Sequence, residues 1–120
     1  MPIKANSKDF IEREFPELPN YKILTSRMYE KSEKPQNRDN WWFNFMHEAL
    51  DDNEFIVFAG ALDYRNKNFK VFKVPASYVK DNIGKLYMDK NGWIIIYLHI
   101  KDFVDVRKNS HLSFNQFSLN

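Results

Sequence analysis

FIVFAGALDYRNKNFKVFKVP, residues 55–75, decides how this chain folds. Phe55 to Leu62 is apolar almost throughout, the pattern of a strand covered on both faces. Asp63 to Asn68 is a polar run that suits a hairpin loop. Phe69 to Val74 then sets Lys70 and Lys73 among apolar residues, which predicts a second, partly exposed strand. Pro75 opens a short helix to about Asp81, because the N–H it lacks would be unpaired in a first turn anyway.

Downstream, Leu86–Met88 and Trp93–Ile100 predict another hairpin, joined by Asp89-Lys90-Asn91-Gly92, whose glycine can take a positive φ. Asp102 is placed to cap a last helix through Lys108, and the tail from Leu112 is apolar enough to dock. Upstream, Trp42, Phe45, Met46 and Ala49 fall at i, i+3, i+4 and i+7, which predicts a helix capped by Asp39 or Asn40. The aromatics of Trp41–Phe45 also suit a strand. Residues 30–40 are wholly polar with Pro35 among them, as an exposed loop would be. Tyr21–Tyr29 is rich in β-formers, and Ser7 starts a short helix that Pro16 stops, with Phe10, Ile11 and Phe15 inward. Together these predict one α+β domain over residues 1–120. Its core is a mostly antiparallel twisted sheet of about five strands, with short helices packed on it.

Composition excludes several classes. The 3 Trp, 6 Tyr and 11 Phe among 120 residues argue against disorder. With no cysteine, there can be no disulfide, Cys-ligated zinc, iron–sulfur cluster or thiol catalysis. No apolar run is long enough to span a bilayer, and residues 1–20 hold no continuous apolar stretch, so a cytoplasmic protein is expected. Charge is unevenly spread. Residues 41–63 carry five acids and no Lys or Arg, whereas residues 64–108 carry ten basic and four acidic groups. A basic half beside an acidic half either steers an anionic partner or neutralises itself across the fold.

From Trp41 to Val79 the order is a paired-aromatic segment, an acidic break, an apolar strand, a hairpin, a lysine-bearing strand and then Val-Pro-Ala-Ser-Tyr-Val. This stretch resembles the rear half of small domains in the restriction-endonuclease-like superfamily. The resemblance implies a nuclease-type core. That family's signature is Pro-Asp followed by Asp/Glu-x-Lys, where two acids hold Mg²⁺ and the lysine assists the attacking water. Here Tyr21–Tyr29 offers Lys22 and Arg27 without an acid, and Pro19-Asn20 stands where Pro-Asp would. Nowhere in the chain is an Asp or Glu followed two residues later by Lys. No catalytic residue of the family carries over.

Other catalytic constellations are equally thin. Glu48, Asp51 and Asp52 are i, i+3 and i+4 neighbours on a helix and could share a hard cation, or could simply cap a turn. His47, His99 and His111 form no zinc motif, and no serine stands in a nucleophile elbow. Three scattered glycines make no phosphate loop. No cofactor is implied.

The basic residues are more suggestive. Lys31, Lys34 and Arg38 lead into Trp41, and Lys67 and Lys70 follow along the hairpin. Cations for phosphates beside an aromatic for base stacking are what nucleic-acid binders use. The first expectation is therefore a non-catalytic module that binds DNA or RNA weakly through the backbone, with Trp41 stacking or anchoring the loop. The second is a small protein-interaction domain, an inhibitor or subunit, using exposed aromatics and the acidic block. A metal-dependent nuclease built irregularly on Glu48, Asp51 or Asp52 comes third.

Overall fold

The computed structural model describes residues 6–29, 39–108 and 110–120. Strand β3 (Phe55–Ala61) lies between β1 (Lys22–Ser26) and β4 (Phe69–Pro75), parallel to the first and antiparallel to the second. Its residues from Ile56 to Ala61 are all buried, as the unbroken apolar run requires. One face of this sheet, with Val57, Ala59 and Val71, is covered by Ile11 of α1 (Lys8–Glu14) and by Leu18. Phe10 and Phe15 pack there too. Ser7 occupies the N-cap position of α1, but its hydroxyl pairs with Thr25 Oγ1 at 2.9 Å instead of capping.

The opposite face of the first sheet, with Ile56, Phe58, Phe72 and Val74, packs on a second sheet. That sheet is β2 (Asn40–Met46), β6 (Trp93–His99) and β5 (Tyr87–Met88), antiparallel throughout in the order β2-β6-β5. The class is α+β, with six strands in two three-stranded sheets instead of one sheet of about five. Helix α3 (Ala76–Asp81) follows directly on Pro75. Gly92 takes φ +89° in the β5–β6 turn, where a β-carbon would also lie 2.7 Å from His47 Cδ2.

Two expected helices are absent. Residues 40–46 form β2 instead, and only Ala49–Asp52 (α2) is helical. The deciding period is two, not 3.6: Trp41, Phe43 and Phe45 are buried while Trp42 and Asn44 are exposed. Seven consecutive pairs with β6, from Asn40↔His99 to Met46↔Trp93, hold it extended. Residues 102–108 are not helical either. Phe103 takes φ +57°, and Val104 and Asp105 then pair in isolated bridges with Ser113 and Leu98. β-branched Val104 and Val106 suit this edge pairing better than a helix. The tail docks as expected, with Phe114 fully buried. Asn120 accepts from Val71 N–H at 2.9 Å and donates to Phe69 O at 2.7 Å, so the tail shields the free edge of β4.

Candidate nucleic-acid interface

Alternation in β2 and β6 sends one set of side chains into the core and the other outward. Inward go Trp41, Phe43, Phe45, Ile94, Ile96 and Leu98. The outward set includes Trp42, Asn44, Trp93, Ile95 and Tyr97, joined from β5 by Tyr87 opposite Ile95. Trp42 is 38% exposed and Trp93 39%. Trp42 meets its cross-strand partner Tyr97 edge to face, with ring centroids 5.3 Å apart. None of the outward residues of the three strands is acidic.

Arg107 supplies the positive charge. Beyond the point where β5 ends, Val106 N–H donates to Tyr97 O at 2.9 Å, bringing this later segment alongside β6. The Arg107 guanidinium lies 3.9 Å from the Tyr87 ring centroid and 5.3 Å from that of Tyr97. Its Nε is buried without a hydrogen-bond acceptor among the described residues. Asp105, which has no exposed surface, fixes the segment. Its Oδ1 accepts from the N–H groups of Tyr97 and Arg107, each at 3.1 Å, while Oδ2 has no partner. Burial pushes the Asp105 carboxyl above the ordinary aspartate value, and the backbone N–H groups and the Arg107 charge only partly offset this.

Of the residues singled out in the sequence for nucleic-acid binding, Trp41, Lys67 and Lys70 are among those described. Lys31, Lys34 and Arg38 lie outside the described residues. Trp41 has no exposed surface and donates from Nε1 to Ala61 O at 2.8 Å, so it cannot stack on a base. Burial on the inward register rules out stacking, one of the two roles expected for it. Lys67 is exposed on a hairpin loop that Asp63 organises by accepting from Lys67 N–H and Asn68 N–H, both at 3.2 Å. Lys70 is half-buried. Its Nζ donates to the main-chain oxygen of Asn120 and lies 5.2 Å from the Phe103 ring centroid.

The acidic trio does not converge. Asp51 is paired with Lys80 Nζ at 2.9 Å and Glu48 with His47 at 3.3 Å. Among the described residues, no group of three or more His, Asp or Glu could hold a metal ion. His99 ends β6, where its Nδ1 accepts from Lys101 N–H at 3.3 Å. Trp42, Trp93, Tyr97 and Arg107 were missed. The signal for the first three was present, since N-W-W-F-N-F-M and W-I-I-I-Y-L-H place aromatics on both faces of a paired ladder. Arg107 had none, because its place depends on the turn at Phe103.

No family model matches the chain, and no curated protein or solved structure matches it. Among the described residues, no helix is long and apolar enough to cross a membrane.

Proposed function

We propose that this domain is a non-catalytic nucleic-acid-associated module that binds through the outward face of the β2-β6-β5 sheet. One observation carries the reading: half-exposed tryptophans on an open sheet face, with an arginine laid on the neighbouring tyrosines and no carboxylate among the outward residues. Flat π-faces take up bases, and a guanidinium takes up phosphate. The resemblance to a nuclease-type core without its acids fits the same role. Lys67, exposed on its hairpin loop, remains available for backbone contact.

Titration of a labelled oligonucleotide at about 50 mM and about 200 mM salt tests this, since phosphate contacts weaken steeply between the two. Binding that falls with salt and falls again in Arg107→Ala supports the reading. Absence of binding at the lower salt refutes it.

A protein partner is the second reading. Met88, 43% exposed, borders a cleft lined by Leu50 and Ile83, an apolar surface with His47 and the Asp51–Lys80 ion pair beside it. Co-purification of a protein lost on Met88→Glu, but kept in Arg107→Ala, would favour it.

A further inference from the structure

We infer that the ligand of the β2-β6-β5 face is an unpaired nucleic-acid strand, bound by stacking, with Arg107 as its phosphate contact and Asp105 as the residue that positions Arg107. This rests on the nucleic-acid reading above. Outward residues follow each other every second position, so the Trp42–Tyr97 row and the Trp93 row, with Ile95 between them, lie about 14 Å apart. Bases stacked in a duplex rise only about 3.4 Å per step. The rows therefore match a strand whose neighbouring bases are splayed apart, not a duplex.

A duplex would also meet this face with its sugar–phosphate exterior and leave the rings nothing to stack on. Trp93 and Tyr97 are four residues apart on the same side of β6, and Trp42 widens the platform at the Tyr97 end. Asn44, exposed between them on β2, offers both a donor and an acceptor to a base edge. The charge matches too. The guanidinium lies against the outward tyrosine rings, 3.9 Å from the Tyr87 centroid and 5.3 Å from that of Tyr97, and carries the positive charge that a phosphate oxygen takes up. Asp105 does not face the ligand. It is buried and ties Arg107 N–H and Tyr97 N–H to one carboxylate oxygen, which fixes the cation beside the ring.

The test compares a single strand of about 12 nucleotides with the duplex of the same sequence, by fluorescence anisotropy on the full chain. The single strand should bind at least about tenfold tighter. Trp42→Ala and Trp93→Ala should each weaken it by roughly 5- to 150-fold, the equivalent of one lost base stack. Lys8→Ala, on the helix covering the other sheet, should leave it unchanged. Asp105→Asn, which keeps an acceptor for the two N–H groups, should bind as the parent does, whereas Asp105→Ala should weaken binding as Arg107→Ala does. Equal or tighter binding of the duplex overturns this inference but leaves the broader reading standing. No binding of either form removes both.

Discussion

Trp41 lies directly against Gly60: a β-carbon on that glycine would stand 2.2 Å from Cδ2 of the indole. The ring cannot retreat. Phe103 stacks on it, with centroids 6.2 Å apart and planes 5° from parallel, and Phe72 meets it edge-on at 6.1 Å. The contact joins the two sheets, because Trp41 belongs to β2 and Gly60 to β3. Gly60→Ala should therefore destabilise the fold by about 1–3 kcal/mol or more, the usual cost of overpacking. Urea denaturation measures it, and an unchanged midpoint would show that the indole has room to move.

Phe58 and Trp93 should separate sharply. Phe58 is fully buried and packs on Phe43 and Phe114, with ring centroids at 5.0 and 5.7 Å. Phe58→Ala should cost about 3–5 kcal/mol. The apolar run around Trp93 suggests equal burial, yet its side chain is on the outward register, so Trp93→Ala should cost less than about 1 kcal/mol. Similar losses for the two variants would mean that the face is covered.

Stability should depend on Asp105 with a definite sign. Burial raises its carboxyl in the folded state, so the folded chain holds that proton more tightly than the unfolded chain does. The contribution is complete below the unfolded value of about 3.9 and is lost as pH rises through the folded value. Asp105→Asn should flatten this decline when urea midpoints are compared upward from about pH 4. Asp63 acts the opposite way. Slight burial tends to raise its carboxyl, but hydrogen bonds from Lys67, Asn68 and Arg65 together hold it below the ordinary value. Its small contribution is lost as pH falls through its lowered value, mostly below about pH 4. A parent midpoint that rises steadily with pH above that point would contradict the Asp105 account.

Catalysis is not expected. Asp51 is held by Lys80 and Glu48 by His47, and among the described residues no group of three or more His, Asp or Glu is placed to hold the metal ion such chemistry would use. The purified protein should leave single- and double-stranded DNA and RNA intact in Mg²⁺ or Mn²⁺. Metal-dependent cleavage abolished by Glu48→Gln or Asp51→Asn would reverse this.

The fold was legible where a segment carried one unmistakable pattern. Phe55–Ala61 reads as a strand buried on both faces, and Pro75 marks the start of the helix, although it stands one residue before it, as the last residue of β4. It was illegible where two periods competed. Trp42, Phe45, Met46 and Ala49 make a helical stripe, but the same stretch alternates at Trp41, Phe43 and Phe45, and only the partner strand β6 decides between them. That choice also decides the site. On a helix Trp41 flanks the polar loop; on a strand it is buried and Trp42 faces outward. The Phe103 turn, with its φ of +57°, has no sequence signature, and Arg107 owes its place to it.

The indole N–H signals of the three tryptophans give the most direct test of where nucleic acid binds. In a ¹H–¹⁵N NMR titration with a single-stranded oligonucleotide, Trp42 and Trp93 are exposed on the proposed face. Trp41, its Nε1 hydrogen-bonded to Ala61 O inside the core, serves as the internal control. The signals of Trp42 and Trp93 should move together with the Arg107 side chain while that of Trp41 stays in place. Movement confined to the Lys67 hairpin, or no movement at all, would contradict the account.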